Sequence, residues 1–436
     1  MFYHNTKFRF ALAEGSPPLQ GGIIAASAMP GDQLVRRVRA GFRQYPYLQH
    51  RLFDPQLYLS GLDKHIAGKT VVNLATQPWF ASSEVPAYDS AEHGSIKNYK
   101  EKYADALLQS WRGKPFETAD TIQTGVRACI QYQLELGCEG IILPSPLTTV
   151  ASRSYEEETR WLDIGVSVVR ELRLSLPVYA TVALSDGVLR GVNALKNPLI
   201  ATITDQIASR DELAGAYVVV EQTTESGYAC NSKDVLLALL VISDDLSRGA
   251  GRRVIVNYIG TFGAVMSGAG TAIWASGYYR SQRRLRLTDY EETMGLAQPR
   301  LFSLGLVGDV GLEEDLPVAF AKGFGARLLK PTSDQSVPLL QALAAGTYPL
   351  STPQWAYRSN NLTAATAHYL SINDRIANSL DTFELARRRD FVLRWLRNAA
   401  SLAEQLSDLK MRPPITDSGH QSVWLSAFTD WVEARC

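Results

Sequence analysis

Eight short runs of apolar and β-branched residues recur along the chain, with helix-like segments between them. They are GGIIAAS (21–27), RLFDPQLYL (51–59), TVVNLAT (70–76), GIILPS (140–145), VYATVALS (178–185), AYVVVEQ (216–222), VIVNYIG (254–260) and GTAIWAS (270–276). Several are apolar at consecutive positions instead of alternating, the mark of strands in a parallel sheet covered on both faces. This recurrence constrains the fold more than any other feature. Strand, helix, strand in that order demands right-handed crossovers and a parallel sheet. Eight such strands predict a (β/α)8 TIM-like barrel. The rival is an open doubly wound sheet, but no G-x-G-x-x-G directly follows a strand and opens a helix.

The intervening segments carry helix punctuation. Ser154 with Glu157 reads as a capping box, followed by Trp161, Ile164, Val168 and Leu172 at helical spacing. Asp120 opens a helix with Ile122, Val126 and Ile130 on one face, and Gly137 ends it. Ser232 or Asn231 caps a helix over 233–248.

A chain of 436 residues exceeds one ordinary core. The reading is a barrel over 1–290 and a C-terminal extension over 291–436, mostly helical, packing on or closing the barrel. Residues 77–118, after the third run, are too long for a simple loop and read as a lid-like insertion over the mouth. In 382–409, Leu385, Val392, Trp395, Leu396, Ala399, Leu402 and Leu406 form one stripe, with arginines over the rest of the surface. That helix closes the barrel or docks a protein partner.

Composition narrows the class. Hydrophobic residues make up 46% and charged residues 20%, as in soluble globular proteins. Lys plus Arg and Asp plus Glu are 44 each, so no global field holds the chain on nucleic acid or an anionic membrane. The longest apolar run, 235–242, is too short to span a bilayer, and MFYHNTKFRF has no signal-peptide core. A cytoplasmic protein without membrane contact is expected. Cys129, Cys138, Cys230 and Cys436 are scattered with no C-x-x-C, so no zinc motif is present. The six histidines form neither H-x-H nor H-E-x-x-H. No cofactor is indicated, though a carboxylate-bound magnesium is compatible.

In a barrel, chemistry sits at the C-terminal ends of the strands. Asp54, Asp186 and Glu221 fall at or near such ends and are the candidate catalytic carboxylates. A pair of carboxyl groups, one kept protonated by burial, is suited to acid–base work. Glu221 ends the apolar run YVVVE, so it needs a partner or a ligand. Asp54-Pro55 and Ser185-Asp186-Gly187 also read as turns. Gln77, Asn257 and Tyr258 lie near strand ends as ligand-binding candidates. Beyond the seventh and eighth runs, Gly260 and Gly277 would let backbone approach an anion. Tyr278 would stack on a base or sugar, while Arg280 and Arg283 would grip phosphate or carboxylate. An R-R-x-R run also reads as a solvated face.

The Gly-containing turn after the seventh run, the short helix, the last strand and the arginines beyond it resemble the tRNA-guanine transglycosylase barrels. The resemblance spans residues 251–287. It implies base exchange on nucleic acid, with aromatic and phosphate-binding residues at the mouth. Where that family places a nucleophilic aspartate at the end of this strand, the chain has Ala275 and Ser276, and the family's zinc cysteines have no counterpart.

The expected function is therefore a barrel enzyme acting on an anionic polar ligand, a nucleotide or nucleic-acid-derived substrate, by carboxylate acid–base chemistry. It would be a hydrolase or transferase of a glycosyl or phosphoryl group. The alternatives are a transglycosylase-like or nucleic-acid-binding barrel, and a non-catalytic scaffold of a multiprotein system.

Overall fold

A computed structural model describes the chain except residues 7–10, 13, 62–69, 71–72, 75, 81–89, 96–97, 100–101, 103–115, 153, 224–228, 278, 291–299, 314, 357–358 and 408–418. Eight strands form one sheet: β1 Phe2–Asn5, β2 Gly21–Ala25, β3 Arg51–Asp54, β4 Ile141–Ile142, β5 Val178–Ser185, β6 Leu213–Glu221, β7 Arg253–Asn257 and β8 Ile273–Gly277. Their spatial order is β3-β2-β1-β8-β7-β6-β5-β4, with every neighbouring pair parallel. The seam between β3 and β4 is bridged where the Glu139 N–H donates to Arg51 O at 3.0 Å. The sheet is thus a nearly closed (β/α)8 barrel.

Two strand assignments change. Thr70, Asn73 and Leu74 are helical, so TVVNLAT is not a barrel strand. Its polar side chains explain why: Asn73 Nδ2 donates to Ser27 O at 2.7 Å, tying a helical face to the turn after β2. The missing strand is β1, four residues at the start of the sequence. It pairs with both β2 and β8, and that two-sided pairing stabilises a run too short and too polar to stand out.

Helices Gly31–Arg39, Ala119–Glu135, Glu156–Leu172, Pro198–Ala208 and Lys233–Asp244 follow β2 to β6 in turn and coat that side. The caps differ from the sequence reading. Thr118 caps the helix whose first turn holds Asp120, in a reciprocal box with Thr121. The helix at Glu156 starts from Tyr155 in the left-handed region without a side-chain cap, so Ser154 and Glu157 form no box.

On the other side the coat comes from elsewhere. Only Phe262–Met266 and a tight turn at Ser267–Ala269 separate β7 from β8. Glycines allow this. A Cβ on Gly263 would lie 2.5 Å from Trp274 Cβ, and one on Gly268 2.9 Å from Phe428 Cζ. The short helix can therefore press against β8 while a C-terminal helix lies on top. Three long helices, Ser359–Asp381, Leu385–Ser407 and His420–Arg435, supply the missing layer. Thr261 Oγ1 donates to Asn373 Oδ1 at 3.1 Å, and Ser276 Oγ lies 2.8 Å from Tyr369 Oη. Arg388 and Arg389 donate to the carbonyls of Ser267 and Gly268 at 3.3 and 3.1 Å. Trp424 packs edge-on to Phe262 and donates to Cys230 O at 2.7 Å. The stripe Val392, Trp395, Leu396, Ala399, Leu402 and Leu406 is buried as expected. Arg388 and Arg389 are spent on barrel carbonyls, while Arg387, Arg394 and Arg397 remain exposed.

An antiparallel hairpin, β9 Arg300–Ser303 and β10 Gly308–Gly311, precedes these helices. It has its own small core of Leu301, Val310, Leu339, Trp355 and Leu402. Among the described residues no helix is long and apolar enough to cross a membrane.

Candidate functional site

The C-terminal ends of the strands hold a buried polar network centred on Asp54. β3 delivers this carboxylate to the rim, where it has no solvent exposure. Tyr58 and Tyr217 donate their hydroxyls to Asp54 Oδ2 at 2.6 and 2.7 Å, and Tyr258 donates to the same oxygen at 3.3 Å. The Gln56 N–H donates to Oδ1 at 3.1 Å. Gln56 Nε2 donates in turn to Tyr258 Oη and Tyr290 Oη at 2.8 and 3.1 Å. On the far side, Asn257 Nδ2 donates to Tyr217 Oη, and Asn5 Nδ2 donates to Asn257 Oδ1, both at 2.8 Å. One set of bonds thus joins β1, β3, β6 and β7 across the barrel.

Two members hold unusual backbone. Gln56 has φ +54° and Tyr258 φ +59°, the left-handed region that side chains other than glycine rarely occupy. Such strain persists only where the surroundings over-determine it, and it clusters at functional sites. Burial pushes the Asp54 carboxyl up to about 6, against the lowering effect of the hydroxyl and amide donors around it. Burial likewise holds Tyr58, Tyr217, Tyr258 and Tyr290 well above the usual phenol value, so they stay protonated donors.

Glu221 ends β6 on the same rim, in register with Ser185. Burial raises its carboxyl above the ordinary value, and the nearby Asp186 charge raises it further, while bonds to the Ser185 hydroxyl and the Leu287 backbone pull it down. No ion pair holds it among the described residues. Asp186 differs: Arg190 Nε and Nη2 lie 3.0 and 2.8 Å from Oδ2, and Thr223 donates to both oxygens. Asp186 therefore works as the anchor of a turn.

The segment after β8 folds back over the rim. The Gln222 N–H donates to Leu285 O at 2.8 Å, and Tyr290 reaches Gln56. The arginines have partners within the chain. Arg280 Nε lies 2.8 Å from Asp309 Oδ2, and Arg283 Nη1 lies 3.2 Å from both Asp309 oxygens. The Arg283 guanidinium also stacks 3.5 Å over the Tyr369 ring. Burial favours a neutral Asp309, but Arg283 and Arg280 outweigh it and hold the carboxyl below its ordinary value. Arg284 pairs with Asp289 at 3.0 Å. These cations fasten the β9–β10 hairpin and the returning loop to the barrel. Beside them is a cavity of about 30 Å³ bordered by Gly260, Thr261, Arg283, Asp309, Tyr369 and His420, room for roughly one water.

Asp54, Asn257 and Tyr258 are brought into one cluster. Glu221 and Asp186 form a second group on the rim, with no hydrogen bond to Asp54 among the described residues. Gly277 faces Gln282, whose Cβ would lie 2.0 Å from an added Cβ, so this glycine makes room for the chain itself. Gln77 follows helical residues, not a strand. It is buried and donates to Ala26 O and Met29 O at 3.0 and 3.2 Å, bracing the turn after β2. Tyr278 and most of 77–118 lie outside the described residues. Sequence reasoning missed Asn5, Tyr58, Tyr217 and Tyr290. A polar ring at the second position of AYVVVE, on the face that ends in Glu221, was the available signal. Among the described residues no group of three or more His, Cys, Asp or Glu could hold a metal ion. Compared with known proteins, the chain matches no protein-family model and no curated sequence.

Proposed function

We propose that the chain is a barrel enzyme that transfers protons to and from a polar, anionic substrate at the C-terminal mouth. A nucleotide or a nucleic-acid-derived molecule is the substrate class. The observation that carries this reading is the Asp54 carboxyl, pushed up to about 6 inside a network of tyrosines and amides on strained backbone. A general base works best with a pKa near the operating pH. Glu221, also raised and without an arginine partner among the described residues, is the complementary group. Arg280 and Arg283, which share the Asp309 carboxylate beside the loop returning over the rim, are the groups that would meet an anion.

The test is a panel of nucleotides, nucleosides and sugar phosphates, screened by thermal shift and then for turnover. Asp54→Asn and Glu221→Gln should each reduce turnover at least about 100-fold. The wild-type rate should rise with pH through about 6, and Asp54→Asn should remove that limb. Lowered melting temperature with unchanged turnover in both variants would assign the carboxylates to architecture.

A second reading has its own support. The returning loop, the Asp309 ion pairs and the packed tyrosines fill the mouth, as in a barrel that serves as a scaffold. Unchanged turnover in both variants would favour it.

A further inference from the structure

The N-terminal end of this barrel is open. That layer of a (β/α)8 barrel is ordinarily filled by bulky branched side chains. Here Gly21 and Gly140 occupy positions on β2 and before β4. A Cβ on Gly21 would lie 2.6 Å from Tyr3 Cζ, and one on Gly140 2.9 Å from Tyr179 Cε2. The two phenol rings therefore lie over bare backbone and form a floor. Above it is a bowl of about 500 Å³ lined by Tyr3, His50, Leu52, Glu139, Tyr179 and Arg253, among others. That volume suits a small-molecule site. The turns 46–50, 136–140, 173–177 and 249–253 around this end are among the described residues.

The polar groups in the bowl are unevenly satisfied. Glu139 Oε1 accepts from Tyr3 Oη at 2.7 Å, and Oε2 lies 3.2 Å from His50 Nδ1, so the carboxylate is held on both oxygens. Tyr179 is 2% exposed. Its oxygen lies 3.5 Å from Arg253 Nη1, and its hydroxyl hydrogen reaches no acceptor among the described residues. The exposed Arg253 guanidinium forms no ion pair among them either. One side of the bowl thus presents a guanidinium and a buried hydroxyl as donors, with two aromatic rings beneath.

We propose that this bowl is a second ligand site, for a small organic oxyanion. The anion pairs with Arg253 and accepts from the Tyr179 hydroxyl, while a planar body lies on the Tyr3 and Tyr179 rings. This inference does not rest on the reading of the mouth. Benzoate, followed by saturation-transfer NMR on the full chain with inorganic phosphate as competitor, tests it. The wild type should show saturable benzoate binding that phosphate displaces. Arg253→Gln, an exposed change that the fold tolerates, should weaken it about tenfold or more. Tyr179→Phe should weaken it by a smaller factor, and Glu221→Gln at the opposite end should leave it unchanged. Absence of saturable binding by the wild type, equal binding by Arg253→Gln, or loss of binding in Glu221→Gln would each overturn the proposal.

Discussion

The two ends of the barrel solve opposite problems with similar residues. At the C-terminal end tyrosines, a carboxylate and arginines are paired among themselves and sealed beneath a loop that returns from β8. At the N-terminal end tyrosines, a carboxylate and an arginine surround open space, because glycines replace the bulk beneath them. The same residue types are therefore enclosed or open to water depending on what lies opposite. Burial with a partner makes a polar group expensive to remove, and access to water makes it cheap.

This contrast is most severely challenged by paired deletions of one carboxylate at each end. Asp309→Ala removes the buried carboxylate that Arg283 and Arg280 share and should cost about 3–5 kcal/mol in urea unfolding. Glu139→Ala, which frees the exposed His50 ring and leaves the Tyr3 hydroxyl facing the bowl, should cost no more than about 1 kcal/mol. Equal losses would erase the distinction.

Titration sharpens it further. Asp54 has an ordinary carboxyl value in the unfolded chain and about 6 in the folded one. Between about 4 and 6 the folded chain keeps a proton that the unfolded chain has released, so this group's contribution to stability falls as pH rises, by about 3 kcal/mol in all. His368 acts in the opposite direction. Burial lowers it to about 4, so its contribution is complete above the ordinary imidazole value and is lost as pH falls toward 4. The comparison must therefore be Asp54→Asn against wild type, by urea unfolding from pH 4 to 7. The difference between the two curves should change by about 3 kcal/mol across the window, and parallel curves would show that Asp54 does not titrate there.

Single hydroxyls give a smaller effect. Tyr217→Phe removes one donor to Asp54 and the acceptor of Asn257 and should cost about 1–2 kcal/mol in the same assay. The smallest change should come from the open end: His50→Ala should stay within about 0.5 kcal/mol.

Much of the barrel was legible because parallel strands must be apolar on both faces, and seven of the eight apolar runs became strands. The remaining run, 70–76, shows why such a signal fails: β-branched residues also suit a short buried helix, and Asn73 found its acceptor on another segment. Asp54, Asn257 and Tyr258 could be picked out as a site because strand ends are visible in a sequence. Their tyrosine partners could not, since Tyr58, Tyr217 and Tyr290 meet Asp54 and Gln56 only across the barrel.

The sequence by itself determined a parallel, helix-coated sheet, the direction of its strands and the rim where chemistry belongs, because periodicity and caps are local. Tertiary structure alone decided that Phe2–Asn5 completes the ring, that C-terminal helices coat the side where β7 and β8 lack long helices of their own, and that Asp309 claims Arg280 and Arg283. Those outcomes depend on which distant surfaces meet, and neither spacing nor composition along one chain encodes the distance between them.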